Sequence, residues 1–592
     1  MKRNGNDRMA TSDRMTRQLF ASLLPIYTLA SGLPALNSLF GTFILGNYIG
    51  SAALAAIGFT SPLLAFVSAV TRTVSTGSQV LCGRHLGRGD HRGVIRTFNT
   101  SLPFALAVGV LLGIFCCALP GVLTRWLGAQ DTAFALTAEY LRGYGIGIAF
   151  NIFFTCLLPY LQLDRAEKLS SAAVAVMVFS NIGFNLVNVF WLKWGIFGVG
   201  LAASAANILS VLVALPHFFF RSKVFRFSLL AFRLKELGSI LYYGSSSAVT
   251  RLCATVRNRI LNAMVYALGG VSAMSALSVA ITLSESIGMS IDGGYSGASA
   301  LIGSVLVGER DVDSLRELPR DMIRVTGPVF ASAYALLFIF AKPLAVLFGA
   351  ESGDVALFVT AIRLYNLWFF TDVIKCSAAC LYRALGQVKE VCIYMALQNL
   401  AFPALVCWLG KHIGLWFVLC HQWIAEGLLI LVFIGIYAVH AGHLPRSIFR
   451  ITWVPSSLAV PAADRYSTSI RSREDVSRAS EELNAFCLRR GLPSRTAYFA
   501  ALCVEELAAD TVQHGFSQCK KAGIIDLRVF HEDGKLSLLL RDNCPPFDPS
   551  EWLKLCAPDE PERSVGIRLV SRCAEEMEYA AAIGLNVVKI RL

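Results

Sequence analysis

Charged residues are scarce in this sequence. Only 16% of its 592 residues are Asp, Glu, Lys or Arg, while 55% are hydrophobic. This balance excludes an ordinary soluble protein, because water could not solvate most of the chain. The apolar residues form a series of blocks of about 20 to 30 residues over 19–440, whereas 464–592 has the composition of a soluble domain. The sequence therefore predicts a membrane part followed by a soluble C-terminal domain.

Several motifs are also missing. The 16 cysteines form no C-x-x-C pair and no Cys/His spacing that suits zinc, so they are predicted to be reduced apolar side chains. No Walker motif is present, which argues against transport powered by ATP hydrolysis. No A-x-A cleavage site follows the first apolar block, which is expected to stay as an anchor. The net charge of +13 lies mainly in short loops, where membrane topology explains it, so no nucleic-acid partner is expected.

The apolar blocks are long enough to cross a membrane as helices. About 20 apolar residues span a hydrocarbon core, and a helix satisfies its own backbone hydrogen bonds there. Lys and Arg concentrate in the N-terminus and in every second loop, so both termini are predicted to lie on the cytoplasmic side of the cytoplasmic membrane. The twelve predicted spans are 19–45, 52–81, 97–120, 133–162, 169–191, 196–220, 239–267, 273–304, 321–347, 355–383, 389–410 and 414–440.

The membrane part repeats itself. A shift of 221 residues places GRGD at 87–90 on GERD at 308–311, and Asn37 on Asn258. Because the shift covers an even number of helices, we expect two parallel six-helix repeats with the substrate at their interface. The predicted domains are a tail at 1–18, an N-lobe at 19–225, a C-lobe at 226–445, a linker at 446–463 and the C-terminal domain at 464–592.

Residues 46–90 carry a set of marks that belong together. They are a G-x-x-x-G, the run ALAAxG followed by Pro62, and a small-residue helix that ends in LGRGD. With the second-half counterpart and YLQLDRAEK after the fourth span, the pattern resembles the multidrug and toxic compound extrusion (MATE) transporters over about 420 residues. The resemblance implies an antiporter that exports organic cations or other amphiphiles in exchange for Na⁺ or H⁺. Residues 75–78 are expected to serve close helix packing, with lining of a pathway as the alternative.

Ionisable residues inside the predicted spans are costly there and are functional candidates. Asp372 and Glu285 are predicted to couple transport to H⁺ or Na⁺, since a carboxylate can alternate between a cation and the substrate. The structural alternatives are that Asp372 pairs with Lys375 one turn away, and that Glu285 pairs with an arginine of the seventh span. The basic candidates for the pathway are Arg72, Arg251, Arg257 and Arg363.

One position departs from the MATE pattern. Many bacterial relatives carry an aspartate in the first helix where this sequence has Gly41, so the usual coupling carboxylate is missing. The four arginines also predict a basic cavity, which repels organic cations. The hypothesis that follows is an anionic or zwitterionic amphiphilic substrate.

The C-terminal domain alternates between strand and helix patterns. Its predicted strands are 466–470, 524–530, 535–541 and 586–592, and its predicted helices are 474–490, 499–515 and 565–578. The turn His531-Glu532-Asp533-Gly534 favours a hairpin. Together these elements predict an α/β sandwich with helices on one face of a mixed sheet.

Three motifs follow one another in this domain. Glu506, Asp510 and His514 are spaced i, i+4 and i+8 on one helix face, for which a solvated charged face is the alternative. LLLRDNCPPFDP leaves a strand at Asp542, and SVGIRLV begins a helix at Gly566, where free N–H groups suit a phosphate. In this order the motifs resemble the GHKL-type ATPase domain, of histidine-kinase-like fold, found in the anti-sigma-factor serine kinases.

That resemblance implies roles for these residues. Glu506 would be the general base, Asp510 would hold Mg²⁺ as part of the nucleotide motif with His514, Asp542 would read the adenine amino group, and Gly566 would face the phosphates of ATP or ADP. Asp542 could instead be a turn residue at the strand end. Two departures predict weak or lost kinase activity: Cys544 stands where the family commonly has glycine, and the lid 556–564 is acidic and lacks a Gly-rich phosphate loop.

The sequence therefore predicts a multi-pass antiporter that exports a small amphiphilic solute, with a nucleotide-binding-like domain that regulates it or binds a protein partner. Two other functions stay open. One is a membrane-tethered serine kinase or anti-sigma-like switch, and the other is a flippase of a lipid-linked precursor, whose pyrophosphate would suit a basic cavity.

Overall fold

The computed structural model describes most of the chain. The described residues are 51–592 except 89, 128–130, 165, 223–224, 226, 229–231, 349, 351–352, 456–459, 520–521, 533, 556–564 and 583–584, with part of 17–48. The predicted acidic lid, 556–564, lies outside these residues.

The N-lobe is built of packed helices, and the described part of 17–48 is helical too, apart from one π-helical residue. Asp90 caps the helix that begins at His91 by accepting a hydrogen bond from the backbone N–H of Gly93. The helices are α1 (Ser51–Arg88), α2 (His91–Ala118), α3 (Pro120–Trp126), α4 (Asp131–Gly145), α5 (Ile148–Leu163), α6 (Glu167–Val187), α7 (Gly195–Ala214) and α8 (Pro216–Phe220).

The C-lobe repeats this arrangement. Its first two spans are joined at Gly270, whose φ of 62° breaks a long helical segment into two, a conformation that glycine adopts at little cost. Asp311 caps the helix after the GERD run by accepting from the N–H of Ser314. The helices are α9 (Leu234–Leu283), α10 (Met289–Gly308), α11 (Val312–Ile339), α12 (Ala341–Leu347), α13 (Val355–Tyr365), α14 (Phe369–Ala384), α15 (Val388–Ala396), α16 (Phe402–Ile413), α17 (Leu415–Leu419) and α18 (His421–Ala441).

Helices occupy all twelve predicted blocks wherever these are described. Eight helices among the described residues are long and apolar enough to cross a membrane, or nine if the bent pair Phe134–Gly145 and Ile148–Leu163, at 51°, forms one span. Helix α1 and the first part of α9 are not among them. They carry the polar and basic residues that the sequence marked as pathway candidates, including Arg72 and Arg257.

The two lobes touch through their repeated glycines. A Cβ on Gly87 would lie 2.9 Å from the Cα of Gly308, and a Cβ on Gly308 would lie 2.7 Å from the Cα of Gly87. One turn earlier, a Cβ on Gly83 would lie 2.9 Å from the Cβ of Ser304. We call this the gate contact, because it closes the space between α1 and α10 at the end of the bundle that faces the C-terminal domain.

The C-terminal domain is a five-stranded sheet with helices on one face. The strand order is β1-β2-β3-β5-β4, and all described pairings are antiparallel, so the expectation of a mixed sheet is wrong. The predicted helix 565–578 is also too long, because it ends at Cys573 and the chain then forms β4 on the edge of the sheet. The elements are β1 (Arg465–Ile470), α19 (Arg473–Arg489), α20 (Ser494–Asp510), β2 (Ile525–Glu532), β3 (Lys535–Asp542), α21 (Pro549–Leu555), α22 (Val565–Cys573), β4 (Glu576–Ala582) and β5 (Leu585–Arg591).

The two faces of this sheet differ in character because side chains alternate along a strand. Leu527, Val529 and Leu538 are buried on the inner face, where they form a core with α19, α20 and α22. Asp526, Arg528 and Arg541 lie on the other face, and the pairing of Asp526 with Arg541 places both on the same side. We call this side the outer face, and it is the side that contacts the lobes.

The linker lies along the C-lobe. Arg450 forms an ion pair with Glu317 of α11, and the backbone N–H of Trp453 donates to the hydroxyl of Tyr382 at 3.2 Å. Ile451 and Val454 are buried. These contacts fix the start of the linker, so that the C-terminal domain begins beside α11.

Candidate functional site

A buried network of charged and polar groups crosses the middle of the C-lobe. Lys375 forms ion pairs with Asp372 and, at 3.4 Å, with Glu426. The Tyr295 hydroxyl donates to Asp372 Oδ2 at 2.5 Å, and Thr371 donates to Glu426 Oε2 at 2.6 Å. Asp372 is 1% exposed and Glu426 is 0% exposed. Charged groups persist at this depth only when they are paired and hydrogen-bonded, so the network is a structural unit.

The network continues toward the seventh span. Gln422 donates to Glu426 Oε1 at 2.9 Å and accepts from Arg257 Nη1 at 2.9 Å. Arg257 also donates to Asn399 Oδ1 at 3.4 Å. A change in charge at Glu426 can therefore reach Arg257 through Gln422.

Arg72, Arg251 and Asp292 face one another between the lobes. Arg72 of α1 interacts electrostatically with both of the other residues, which belong to the C-lobe. Arg72 and Arg251 are exposed although both lie inside long helices of the bundle. Both arginines lie in the two helices that pack together across the interface of the repeats, α1 and α9, and parallel-repeat transporters bind substrate at such an interface.

Glu285 is also exposed, and it lies within electrostatic range of Arg251 and Arg257 of the seventh span. This is the arrangement of the structural alternative, although Glu285 forms no ion pair with the described residues. For Asp372 the alternative pairing with Lys375 is present. Arg363 stands apart from the other candidates, because its guanidinium donates to the Phe338 carbonyl at 3.2 Å and covers the Phe338 ring.

The small residues 75–78 are closely packed, whereas Gly41 has free space beside it. A Cβ on Gly77 would collide with the backbone of Ile240, and Ser247 donates to Thr76 at 3.1 Å. This confirms close helix packing for residues 75–78. At Gly41 a Cβ would meet nothing within 4 Å.

The motif residues of the C-terminal domain converge on the start of α22. The carboxylate of Glu506 lies so close to Gly566 that a Cβ there would collide with Glu506 Oε2. The first turn of a helix exposes N–H groups that favour a negative charge. Glu506 therefore occupies space beside the helix start that the phosphates of a nucleotide would also approach.

Asp510 and His514 lie further along the same helix face. His514 Nε2 is 4.0 Å from Asp510 Oδ1, and the His514 side chain is 66% exposed. Partial burial raises the pKa of Asp510, while His514 opposes this shift. Among the described residues, no three His, Cys, Asp or Glu side chains form a metal-binding group. Asp510 alone fits Mg²⁺ that is held mainly by phosphate and water oxygens.

Asp542 is buried at the end of β3 and has fixed partners. Its Oδ1 accepts from the backbone N–H of Cys544 at 2.9 Å and from Asn586 Nδ2 at 2.7 Å. The turn-residue alternative is therefore present in the structure, and it also holds the carboxylate in one orientation. The Cys544 thiol fills the space beside Gly515, 3.1 Å from a Cβ position there, and lies 3.1 Å from Cys519 Sγ.

The outer face of the sheet carries a second buried ion network, which joins the C-terminal domain to the C-lobe. Arg541 donates to Glu309 at 2.8 Å and to Asp311 and Asp526 at 2.6 Å each. Arg528 donates to the other oxygen of Asp311 at 2.6 Å. We call these five residues the interdomain network. None of their side chains is more than 6% exposed.

Burial and the arginines act in opposite directions in this network. Burial raises the pKa of Asp311, but Arg528 and Arg541 outweigh it, and the pKa falls to about 2. Burial raises the pKa of Glu309 to about 7, against the attraction of Arg541. Asp311 is thus fully ionised at neutral pH, and the two arginines stabilise its charge.

Sequence reasoning missed several of these residues. Asp292 stands alone in the small-residue stretch of α10, and a scan for charges inside spans would have found it. Glu426 lies inside the last predicted span, but its partner Lys375 is 51 positions away in the sequence, so the pair is not visible from spacing. Arg528 and Arg541 were overlooked, because alternating polar residues in a strand normally indicate a solvated face.

Comparison with known proteins agrees with this architecture. The MatE family model matches residues 29–191 and 246–409, once in each lobe, and the model of the histidine kinase-like ATPase domain matches 471–592. Multidrug export protein MepA of Staphylococcus aureus (strain MRSA252) is 20% identical over 406 residues, which cover 67% of this chain and 88% of that protein. Probable multidrug resistance protein YoeA of Bacillus subtilis (strain 168) is 24% identical over 212 residues, or 34% of this chain and 44% of that protein.

Solved structures share the fold of the two lobes. An outward-facing multidrug resistance MATE family transporter of the MOP superfamily superposes with a TM-score of 0.67 at 20% identity, covering 70% of this chain and 94% of that chain. A MOP superfamily transporter from Pyrococcus furiosus, described by the reverse polarity of its binding pocket, gives a TM-score of 0.65 at 20% identity with the same coverage. These likenesses confirm the two-lobed helical architecture.

Proposed function

Since the chain belongs to the MatE family and carries a histidine kinase-like ATPase domain at its C-terminus, we propose that it is a secondary transporter. It exports a small amphiphilic solute across the cytoplasmic membrane in exchange for H⁺ or Na⁺, and both of its termini are cytoplasmic. The observation that carries this proposal is the buried network of Asp372, Lys375 and Glu426 in the middle of the C-lobe. A carboxylate pair that shares one lysine can exchange a proton or a Na⁺ with small movements of the side chains.

The substrate is an anionic or zwitterionic amphiphile. Three arginines, Arg72, Arg251 and Arg257, outnumber the two carboxylates within electrostatic range of them, Asp292 and Glu285, and a region of net positive charge attracts the opposite charge. The archaeal transporter with reverse pocket polarity supports the idea that the charge of the cavity varies within this fold. A flippase of lipid-linked pyrophosphates would use the same charges.

Replacement of Arg72 by glutamine tests the charge argument. In proteoliposomes with an ion gradient, we expect the wild type to carry an amphiphilic anion in preference to an ethidium-type cation. Arg72→Gln is expected to lower the anion flux ~tenfold, because one nearby charge contributes a few kcal/mol before screening. Arg125→Gln, an exposed residue of α3, is the matched control. Preferential transport of the cation would contradict the proposal.

The C-terminal domain binds ATP or ADP with Mg²⁺ and regulates the lobes. Bound nucleotide would contact Asp542 through its base, Gly566 through its phosphates and Asp510 through Mg²⁺. The chemistry that Mg²⁺ supplies is neutralisation of phosphate charge. Glu506, at the start of α22, is the candidate general base, and its position there disfavours the triphosphate until the carboxylate moves.

This position predicts the effect of neutralising Glu506. We expect Glu506→Gln in the full-length protein to bind Mg·ATP about three-fold more tightly, since a charge at a helix start is worth ~0.3–1 kcal/mol, and to lose any phosphate transfer. Binding is measured by titration with a fluorescent nucleotide. The control is Glu505→Gln, since Glu505 is exposed and accepts from Ser480 instead. If neither the wild type nor Glu506→Gln binds nucleotide, a role in docking a regulatory protein is the better account.

A further inference from the structure

The outer face of the C-terminal sheet contacts both lobes at the same end of the bundle. The interdomain network joins β2 and β3 to the C-lobe at Glu309 and Asp311. On β5, Lys589 Nζ donates to the carbonyl of Arg88 in the N-lobe at 3.0 Å. Glu578 of β4, which pairs with Lys589, is attracted by His91 of α2. One sheet thus connects the C-terminal end of α1 with the residues that follow α10.

These two helices are the ones that form the gate contact. Gly87 and Gly308 touch one residue before Arg88 and Glu309, the residues to which the sheet binds. If the lobes separated at this end, Arg88 and Glu309 would move apart. Arg541 and Lys589 lie on strands β3 and β5, which hydrogen bonds hold together. The two strands therefore cannot stay bound to Glu309 and Arg88 at the same time once these residues separate. The docked domain therefore fits the closed arrangement of the lobes.

The repeat shows that the C-lobe end is adapted to this contact. Asp90 and Asp311 are equivalent in the two repeats, and each caps the helix that follows. Asp90 finds its charged partners, His85 and Arg96, inside its own lobe. Asp311 pairs instead with Arg528 and Arg541 of the C-terminal domain.

From these contacts we propose that the outer face of the sheet is a docking surface for the closed gate, and that the C-terminal domain locks the transporter with its lobes together on that side. A body that binds one arrangement of two lobes and not the other shifts their populations toward the first. The release of the lock is the step that a ligand of the C-terminal domain would control. Arg541, on the docking surface, and Asp542, in the candidate nucleotide site, are adjacent on β3, so a shift at one moves the other. This inference deepens the proposed function and rests on it for the regulation of transport.

The repeat also supplies a matched test. Asp311→Asn keeps the helix cap, because asparagine caps as well as aspartate, but removes the charge shared by Arg528 and Arg541. Asp90→Asn makes the same change at the equivalent place, where the described charged partners, His85 and Arg96, belong to the N-lobe. Hydrogen exchange of the full chain in detergent is followed at two places. One is the docking surface, and the other is residues 80–84 of α1, where Gly83 and Arg84 contact Ser304 and Tyr243 of the C-lobe.

We expect Asp311→Asn to speed exchange at the docking surface and, ~tenfold, at residues 80–84, since a buried charge pair that loses one partner is strongly weakened. Asp90→Asn is expected to leave residues 80–84 as in the wild type. Lys589→Gln removes the contact with Arg88 and the pair with Glu578 but leaves the interdomain network intact. It is expected to act in the same direction by a smaller factor, and it tests the proposal if Asp311→Asn does not fold. The inference is overturned if Asp311→Asn loosens the docking surface and leaves 80–84 unchanged, or if both Asp→Asn variants act alike. A chain that carries no solute in proteoliposomes but shows the expected exchange would overturn the proposed transport and leave the lock standing.

Discussion

Lys375→Met is expected to abolish transport and to lower the free energy of unfolding by ~3–5 kcal/mol, the cost of leaving buried charges without their partner. Lys375 is the cation that Asp372 and Glu426 share, and both carboxylates are almost completely buried. Without it the two negative charges repel each other in a medium of low polarity. Thermal unfolding in detergent and flux in proteoliposomes measure the two effects.

Two further variants separate stability from function. Lys375→Met combined with Asp372→Asn removes one of the two carboxylates that Lys375 pairs with, and the other, Glu426, keeps hydrogen bonds from Thr371, Gln398 and Gln422. We expect this double variant to regain most of the lost stability while flux stays absent. Lys411→Met, at an exposed helix end, is the control and should change neither. Normal flux in Lys375→Met would show that the network only supports the fold.

Gly87→Ala is expected to hold the lobes apart at the end that faces the C-terminal domain and to reduce flux ~tenfold. Its Cβ would lie 2.9 Å from the Cα of Gly308 and still closer to the backbone of α10. Backbone cannot yield as a flexible side chain does, and overpacking of this kind typically costs ~1–3 kcal/mol. Because the collision exists only while the gate contact is made, the closed arrangement loses population and the open one does not.

Flux and hydrogen exchange over residues 300–308 measure this shift. Gly183→Ala is the control, because a Cβ at Gly183 of α6 would meet nothing within 4 Å. Both glycines lie in helices, so the two changes have the same effect on helix propensity. A normal flux with protected residues 300–308 in Gly87→Ala would mean that the gate contact opens and closes without this close approach.

The repeat is the part of the architecture that the sequence predicted best. Periodic apolar blocks set the spans, and the internal repeat made residues 87–90 equivalent to 308–311. The structure adds that the two glycines at the start of these segments meet between the lobes. Such features depend on local composition and on internal symmetry, both of which are visible in one chain. The motif residues of the C-terminal domain were found for the same reason, since spacing along one helix brings Glu506, Asp510 and His514 together.

Contacts between distant segments could not be predicted in this way. Arg541 and Asp311 are 230 positions apart and belong to different domains. Asp526 and Arg528 alternate with apolar residues, as on any sheet with one solvent-exposed face. Their burial depends on the contact between this face and the C-lobe, which the local sequence does not show. The antiparallel order and the extra strand β4 were missed because short edge strands resemble the end of a helix when only composition is read.

The linker tethers the C-terminal domain to the lobes, so its docking depends on this tether as well as on the affinity of the two surfaces. Its first residues are attached to α11 and α14 through Glu317 and Tyr382. A tethered module meets its surface at an effective concentration of about millimolar. Under the proposed regulation, each transporter carries its own effector in a fixed one-to-one ratio, whatever its level of expression. An interface too weak to join two separate proteins is then strong enough.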